Sequence, residues 1–554
     1  MVTSPTDRQS RSATLPLTPE DRLKEIADAA HNQPRAFALA GRAKADGLSH
    51  PLIHHLLAVQ LKQEGRFDEA IAELGLGLRL APNDVRLTAL TGFCLLDLGR
   101  RQEAAQVFAA AMEMDPSYAD AAYGYGWAAE RLGALESAAS AYKRAVMLDN
   151  DHADAHAGLS GLAIRRRDWI TARVHAEKAA ALDPKQTDAL MNIARVDSGQ
   201  GRFDDAERRL QQIIALPHLK PLARANARLM LGDALDGAGR YRKAFAAYVK
   251  GKSELRDQHA HIFEAPDINT ANDAVKGLLG EFQQTPVSSW ASSGGRSFSR
   301  DEKAHAFLMG FPRSGTTLLE QVLATHADIV ALEEREVMID AMQEYLTPIG
   351  GMIRLADVDG AALEPYRDSY WKKVREFGVE PAGKVFVDKH PLSTIRLPLI
   401  NKMFPQAKII FARRDPRDVV LSCFRRSFNM NPSMYEFNTI ESAARYYVSV
   451  MEAGQVYLES LPLDVHFIRY EDLVAEFDAT TKSLCGFLGV EWTEKLKDFA
   501  DTARGRSITT PSSTQVGRGL YSEGAGQWRN YDFALKPVLP VLQPWIERFG
   551  YEPN

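Results

Sequence analysis

The chain has 554 residues, of which 45% are hydrophobic and 25% are charged, and its formal net charge at pH 7 is −5. This length and hydrophobic content predict more than one folded domain and exclude a chain dominated by disorder. The charge balance gives no basic field for nucleic acid or anionic lipid, and no run of about 18 apolar residues predicts a membrane span.

The N-terminus and the cysteines indicate a cytoplasmic protein. Residues 1–19 are polar, lack the apolar segment of a secretion signal and are predicted to be a disordered tail. Cys94, Cys423 and Cys485 are too far apart in the sequence for a CxxC metal or redox pair. Three cysteines also make a poor disulfide framework, which favours a reducing compartment.

Residues 20–256 are predicted to form an all-α solenoid, because small residues recur with a 34-residue period. The period relates Gly65, Gly99, Gly133, Arg167 and Gly201, then Ala70, Ala104, Ala138, Ala172 and Ala206, and finally Pro82, Pro116, Asn150 and Pro184. Such a period with helical apolar spacing indicates stacked helix pairs. We expect the Gly in the turn within each pair, the Ala where the helices approach closely, and the Pro in the first turn of the next pair.

The units GRFDEA, GRRQEA, GALESA, RDWITA, GRFDDA and GRYRKA resemble the tetratricopeptide repeat. About six of them cover residues 50–256, and residues 20–48 are interpreted as an irregular cap. The last unit, at Gly239, is displaced by four residues, which predicts a longer turn near Leu216 to Leu222. The resemblance implies a concave surface for a peptide or partner domain. A spacer or a dimerisation arm is the alternative.

The repeat period ends before residues 257–303, which are predicted to connect two domains and include the Ser- and Gly-rich stretch Ser288 to Arg300. Residues 304–554 form the second predicted domain. There, short apolar strands alternate with helices, which predicts a parallel α/β sheet with its ligands at the carboxyl ends of the strands. The predicted strands are AFLMG, KVFVD, AKIIFA and VHFIRY.

The segment GFPRSGTT has the spacing of a phosphate-binding loop, and Thr316 stands where a nucleotide-hydrolysing loop carries lysine. A strand over 306–309 precedes it and a helix over 316–326 follows it. The helix N-terminus, with its free N–H groups and its dipole, favours an anion. The residues gathered there are Arg313, Ser314, Gly315, Thr316 and Thr317.

A second anion-binding motif follows the strand AKIIFA. Arg414 at the strand end and Ser422 on the second turn of the next helix can converge on one tetrahedral anion. The alternative for Arg414 and Arg417 is an ion pair with Asp415 or Asp418. Two phosphate sites, without a lysine for β and γ phosphates and without an obvious Mg²⁺ carboxylate, indicate a nucleotide phosphorylated at both its 5′ and 3′ positions.

The pair PRSGTTLL and RRDPRDVVLS resembles the 5′-phosphosulfate and 3′-phosphate motifs of sulfotransferases that use 3′-phosphoadenosine 5′-phosphosulfate (PAPS). Over about residues 304–550 the chain is similar to protein-tyrosine sulfotransferases and bacterial repeat-fused sulfotransferases. The resemblance implies that residues 313–317 hold the 5′ phosphosulfate, that Arg414 and Ser422 hold the 3′ phosphate, and that Tyr470 lies near the cofactor. It also implies a closing loop that contains Ser513, Gln515 and Val516, in which Arg518 has no assigned role.

The same resemblance implies a metal-free reaction in which Glu334 is the base and Lys389 neutralises the leaving phosphate. An exposed Glu–Lys pair without consequence is the alternative for these two residues. His390 is the alternative base, as in cytosolic enzymes that act on small molecules, because a neutral imidazole accepts protons at pH 7. Glu336 replaces an arginine that helps the tyrosine-directed enzymes bind acidic peptides, which speaks against the same peptide preference.

The sequence therefore predicts a multidomain cytoplasmic enzyme: a tetratricopeptide-repeat solenoid followed by an α/β, P-loop-like, parallel-sheet sulfotransferase domain. Its acceptor is predicted to be a tyrosine of a protein or peptide recruited by the repeats, and 3′-phosphoadenosine 5′-phosphate (PAP) is the expected product. A saccharide, a lipid headgroup or a small phenol is the alternative acceptor. A repeat scaffold with a non-catalytic nucleotide-binding domain is an alternative of another class, and Thr316 disfavours a kinase or ATPase.

Overall fold

The computed structural model describes residues 18–217, 219–291, 301–500 and 524–553. The chain divides into two compact units, Met1–Ala163 with Ile170–Gln186 and Ile164–Trp169 with Thr187–Asn554. Among the residues described, no helix combines the length and apolar character that crossing a bilayer requires.

The region predicted as a solenoid is built from helices. They are α1 Pro19–Asp28, α2 Gln33–Ala45, α3 Pro51–Gln63, α4 Phe67–Leu80, α5 Val85–Asp97, α6 Arg101–Met114, α7 Ala119–Leu132, α8 Leu135–Leu148, α9 Ala153–Arg165, α10 Trp169–Leu182, α11 Thr187–Gly199, α12 Phe203–Ile214, α13 Pro221–Gly237 and α14 Tyr241–Phe263. Helices α3 to α14 form successive pairs that coincide with the six predicted repeats, so the repeat prediction is confirmed.

The turn within each repeat has a left-handed backbone at the predicted position. The glycines there have φ between 73° and 84°, and Arg167, which fills the same slot, has φ 58°. A residue with a side chain is disfavoured at such φ, which explains why glycine recurs in the other repeats. The alanines five residues later are fully buried, as close helix packing requires: Ala70, Ala104, Ala138, Ala172 and Ala206.

The prediction for the repeat prolines is wrong. Pro82 lies in the turn before α5 rather than in its first helical turn. The helix begins at Val85 because the Asp84 side chain caps it, accepting hydrogen bonds from the backbone N–H groups of Arg86 (3.0 Å) and Leu87 (3.4 Å). The longer turn predicted near Leu216 lies within residues 215–220, between α12 and α13.

The α/β region contains five strands and further helices among its described residues. The strands are β1 Ala304–Met309, β2 Ile329–Glu333, β3 Val385–Lys389, β4 Lys408–Arg413 and β5 Asp464–Arg469. The helices are α15 Ala271–Gln283, α16 Thr316–Leu323, α17 Ile339–Tyr345, α18 Gly351–Asp357, α19 Glu364–Glu376, α20 Leu397–Met403, α21 Pro416–Arg425, α22 Pro432–Tyr435, α23 Ile440–Ser460, α24 Tyr470–Ala475, α25 Phe477–Leu488, α26 Asp532–Leu535 and α27 Leu539–Arg548.

The strands form one parallel sheet in the order β2-β3-β1-β4-β5. The parallel α/β prediction is confirmed, whereas β2 was not predicted and α16 ends at Leu323, three residues earlier than expected. Since all strands run the same way, their carboxyl ends meet at one edge of the sheet. Register places Glu333 of β2 opposite Lys389 of β3 at this edge.

The two faces of the sheet belong to two hydrophobic clusters, as the alternation of side chains along β1 requires. Ala306 and Leu308 pack with α16 and α25 on one face. Phe307 and Met309 pack on the other face, in a cluster that also includes Tyr248 of α14. The helix pair α13–α14 therefore shares a core with the sheet.

Candidate functional site

The phosphate-binding-type loop connects β1 to α16 at the carboxyl edge of the sheet. Its carbonyl at Gly310 accepts a hydrogen bond from Thr394 Oγ1 (2.6 Å), and Ser314 Oγ accepts one from the backbone N–H of Phe311 (3.3 Å). Arg313 has φ 72°, a left-handed conformation that is rare for a residue with a side chain. Such strain is often found at ligand sites, and here hydrogen bonds from Thr394 and within the loop fix its conformation at the start of a helix.

Gly315 is the residue immediately before α16, and it packs against Tyr470. Its φ is 101°, and a Cβ atom added there would lie 2.8 Å from Tyr470 Cδ2. The first N–H groups of a helix have no partner within it, so the N-terminus of α16 offers donors to an anion. The Tyr470 ring thus packs directly against the loop at residue 315, where only glycine leaves enough room.

Three residues of the two motifs that are predicted to bind anions meet beside this loop. Arg313 Nε donates a hydrogen bond to Ser422 Oγ (2.9 Å) on α21. Arg414 Nη1 donates to the carbonyl oxygen of Arg313 (2.9 Å), and its guanidinium lies 4.6 Å from the centre of the Tyr470 ring. The structure thus brings together the two motifs that are about 100 residues apart in the sequence.

The ion-pair alternative for the second motif holds for Arg417. Its Nε and Nη2 lie 3.0 and 2.8 Å from the two carboxylate oxygens of Asp415, and its guanidinium also stacks 3.7 Å from the Trp528 ring. Arg414 instead donates to carbonyl oxygens of Arg313 and Gly524. Arg417 is therefore paired with Asp415, whereas Arg414 forms its hydrogen bonds with backbone carbonyl oxygens beside the loop.

Lys389 is fully buried at the end of β3 and is surrounded by carboxylates. Its Nζ lies 2.8 Å from Glu334 Oε1, 3.3 Å from Glu320 Oε2 and 3.7 Å from Glu333 Oε1. Burial alone would lower the pKa of Lys389, but attraction to Glu320, Glu334 and Glu333 outweighs it and raises the pKa. The lysine is protonated at neutral pH, and because it is buried, its pair with Glu334 is not the exposed pair of the alternative.

Glu334 follows directly after β2 and joins the buried cluster to solvent. Its side chain is 33% exposed. Its backbone N–H donates to the carbonyl of Lys389 (2.8 Å), and its φ of 41° is again left-handed. Arg313 and Glu334 are two of the three residues other than glycine that have positive φ in the described parts of the chain. Backbone strain therefore coincides with two predicted site residues.

His390 forms a hydrogen bond with Glu336 that the sequence did not predict. Its Nε2 lies 3.1 Å from Glu336 Oε1, which also lies 3.0 Å from Arg396 Nη2. Burial lowers the pKa of His390, and the charge of Arg396 acts in the same direction. Burial alone would raise the pKa of Glu336, but the hydrogen bond with His390 and the charge of Arg396 lower it to about 2. Glu336 is therefore engaged within the protein.

The buried polar residues beside the loop suit an anion. Arg414 is 8% exposed, and its Nε has no hydrogen-bond partner in the part of the chain that the structure describes. A buried donor without a partner is costly, so this guanidinium is suited to an incoming anion. Arg313, Thr316 and Thr317 are also buried around the N-terminus of α16.

Three residues of this site, Glu320, Glu333 and Arg396, were not predicted from the sequence. Glu320 lies one helical turn after Thr316, so helical periodicity alone would have placed both on one face. No pattern around Arg396 in the sequence indicates its contact with Glu336, because only the fold brings the two residues together. The predicted closing-loop residues Ser513, Gln515, Val516 and Arg518 lie outside the described residues.

Comparison with known proteins gives three family matches. Residues 306–494 match the model described as Sulfotransferase family, and residues 94–155 and 163–219 match two Tetratricopeptide repeat models. The predicted resemblance to both families is thereby confirmed.

Individual relatives are distant. An uncharacterized protein of Aquifex aeolicus (strain VF5) is 24% identical over 61% of this chain, which spans only 44% of that protein. Protein-tyrosine sulfotransferase 1 of Danio rerio is 26% identical over 45% of this chain and 72% of its own length. Among solved structures, the sulfotransferase domain of the Synechococcus PCC 7002 olefin synthase is 20% identical with a TM-score of 0.34, covering 47% of this chain and all of that domain.

Proposed function

We propose that this chain, which carries a sulfotransferase-family domain after tetratricopeptide repeats, transfers a sulfuryl group from PAPS to a hydroxyl of a protein or peptide. The observation that carries the proposal is the meeting of the two anion-binding motifs, in which Arg414 contacts the backbone of Arg313 and Arg313 contacts Ser422. One phosphate site would serve many nucleotides, whereas two sites joined in this way favour a nucleotide with phosphate groups at both positions.

The donor-binding residues are the loop and the second motif. Residues 313–317 would hold the 5′ phosphosulfate through backbone N–H groups and the Arg313 side chain. Arg414 and Ser422 would hold the 3′ phosphate, with Tyr470 beneath the loop. When bound, the donor supplies the sulfuryl group, and the residues described below move the proton and balance charge.

Proton removal from the acceptor is assigned to Glu334. It is the partly exposed member of the Lys389 cluster, so an acceptor hydroxyl can reach it from solvent. The buried Lys389 stays positively charged and would offset the negative charge that develops on the leaving phosphate. His390 is the second candidate for the base, because its Nδ1 is buried without a hydrogen-bond partner among the described residues.

The acceptor class is supported by two features. Tetratricopeptide repeats commonly bind peptides or partner domains, and the sulfotransferase domain is similar to protein-tyrosine sulfotransferases. Glu336 stands where the tyrosine-directed enzymes carry an arginine, and it contacts His390 and Arg396. This position therefore presents a carboxylate, not a cation, to an acidic peptide. We therefore propose a tyrosine acceptor in a sequence that is not strongly acidic, and we keep the cytoplasm as the location that the cysteine spacing favours.

The experiment that tests the donor is calorimetric binding of PAP to the full-length protein, with adenosine 5′-phosphate and Mg·ATP for comparison. PAP is expected to bind much more tightly than adenosine 5′-phosphate. Arg414→Ala should reduce PAP affinity by about 30- to 1,000-fold, which corresponds to about 2–4 kcal/mol for a desolvated charge-assisted contact.

Arg413→Ala is the matched control, because Arg413 precedes Arg414 but stacks on Phe467 (3.6 Å). It should leave the preference for PAP over adenosine 5′-phosphate unchanged. Equal affinity of the wild-type protein for the two nucleotides would overturn the proposed donor. Magnesium-dependent ATP turnover would favour a kinase or ATPase instead.

A further inference from the structure

The helix pair α13–α14 is the last pair of the region predicted as repeats, and it belongs to the same compact unit as the sheet. Lys252 of α14 is buried and its Nζ donates to the carbonyl of Arg426 (2.7 Å), just after α21. The aromatic rings of Phe245 and Phe424 lie 5.5 Å apart across the same contact. The pair therefore packs against the helix that carries Ser422.

Asp236, near the end of α13, is the polar centre of this contact. Its Oδ2 lies 2.6 Å from Arg425 Nη2, and its Oδ1 accepts a hydrogen bond from the hydroxyl of Tyr531. The Arg425 side chain is 7% exposed and Tyr531 is fully buried. A single carboxylate thus holds both the last residue of α21 and the end of the segment 524–531.

The other end of the segment 524–531 reaches the donor site. Arg414 Nη2 donates to the carbonyl of Gly524. On α21, the Asp418 carboxylate accepts hydrogen bonds from the backbone N–H groups of Gly526 (2.6 Å) and Trp528 (2.8 Å). The segment is therefore fixed at one end by Asp236 and along its length by α21 and Arg414.

We propose that Asp236 is a positioning residue for the donor site, acting through Arg425 and Tyr531 to hold α21 and the segment 524–531 against Arg414. The inference rests on the proposed function, because the site that it positions is the one assigned to the 3′ phosphate. It makes the helix pair α13–α14 part of the donor site's framework, so the last repeat is not simply one more acceptor-binding unit.

The test uses the full-length Asp236→Asn protein, which keeps the size of the side chain and removes its charge. PAP affinity should fall about tenfold, whereas adenosine 5′-phosphate affinity, which does not depend on a 3′ phosphate, should stay nearly unchanged. A merely structural role would lower the melting temperature without changing the ratio of the two affinities. Tyr531→Phe removes one of the two contacts, and should give a smaller change in the same direction.

Two control experiments test whether Asp236 affects PAP binding through Arg425. Glu254→Gln breaks an ion pair with Arg228 (2.8 Å) inside the same helix pair and should leave the affinity ratio as in the wild type. If Asp236 acts partly through Arg425, Asp236→Asn should weaken PAP binding less in the Arg425→Gln protein than in the wild type. A wild-type affinity ratio in both Asp236→Asn and Tyr531→Phe would overturn the inference.

Amide hydrogen exchange without nucleotide separates failure of the inference from failure of the proposed function. Asp236→Asn should speed exchange at Gly526 and Trp528, whose N–H groups bind Asp418, and Glu254→Gln should not. Faster exchange together with no PAP preference in the wild type would reject the donor but keep the structural link. Unchanged exchange at both residues would reject the link itself.

Discussion

The two sides of the candidate site differ in how their buried cations are balanced. On the donor side, Arg414 donates to carbonyl oxygens and Arg313 to a hydroxyl. On the other side, Lys389 lies within 3.7 Å of three carboxylates. Arg414, whose hydrogen bonds go to backbone carbonyls, can attract an anion, whereas the carboxylates around Lys389 hold that lysine in its charged form. The donor side is therefore suited to binding, and the Lys389 side to moving a proton.

Replacing Glu334 by Gln should have the greatest consequence, since it separates catalysis from binding. Turnover should fall by about 10²- to 10⁴-fold because a general base is lost. PAP affinity should change little, since the donor side is untouched. Steady-state kinetics and calorimetry on the same protein measure both. Full activity in Glu334→Gln and none in His390→Asn would assign the base to His390.

Replacing Lys389 by Met should destabilise the fold. The change leaves buried carboxylates without their cation, so the free energy of unfolding should fall by about 3–5 kcal/mol. Urea unfolding provides the measurement. Lys408→Met is the control, because it breaks a pair with Asp464 in which both side chains are partly exposed to solvent, and it should cost about 1 kcal/mol. Equal losses in the two proteins would contradict a buried, internally balanced cluster.

Replacing Gly315 by Ala should weaken the donor side alone. The new Cβ would press on Tyr470 in a left-handed backbone, a strain of about 1–3 kcal/mol. PAP affinity should fall by about tenfold while the pH profile of turnover keeps its shape. Gly378→Ala introduces similar backbone strain with no atom within 4 Å of its Cβ, and it should not alter PAP affinity.

Replacing Glu336 by Gln should have the smallest effect of these changes. The effect should appear in how the free energy of unfolding depends on pH. The pKa of Glu336 is lowered to about 2 in the folded protein. A lowered folded-state pKa contributes stability above the unfolded pKa of about 4.3, and this contribution is lost as pH falls towards 2. Between pH 5 and pH 2 the wild type should lose more free energy of unfolding than Glu336→Gln. Parallel curves for the two proteins would contradict the pair.

Local patterns made much of the fold and site predictable. The 34-residue period specified the helix pairs because each repeat solves the same packing problem, with a left-handed turn and a buried alanine. The loop at Gly310 and the motif at Arg414 were recognisable as candidate sites because anion binding favours particular residues at strand ends. Strand β2 was missed, although its apolar run IVAL precedes Glu333, since it is short and no turn pattern marked it.

Contacts between distant segments were not predictable in this way. Nothing near Lys389 in the sequence indicates that Glu320 will lie 3.3 Å from it, or that Arg396 will hold Glu336. The period ends after α14, yet no pattern shows that Asp236 binds Arg425 and Tyr531. Such pairings depend on how helices pack around the sheet, which is a property of the whole core.

Sequence alone therefore determined the repeat architecture, the parallel α/β class and the positions of the two motifs predicted to bind anions, because each is encoded within one turn, one strand end or one repeat. The tertiary structure decided which charges meet: the buried carboxylates around Lys389, the neutral partners of Arg414 and the place of α13–α14 beside α21. Charge balance and burial arise from residues far apart in the chain, and only the folded core brings them within contact distance.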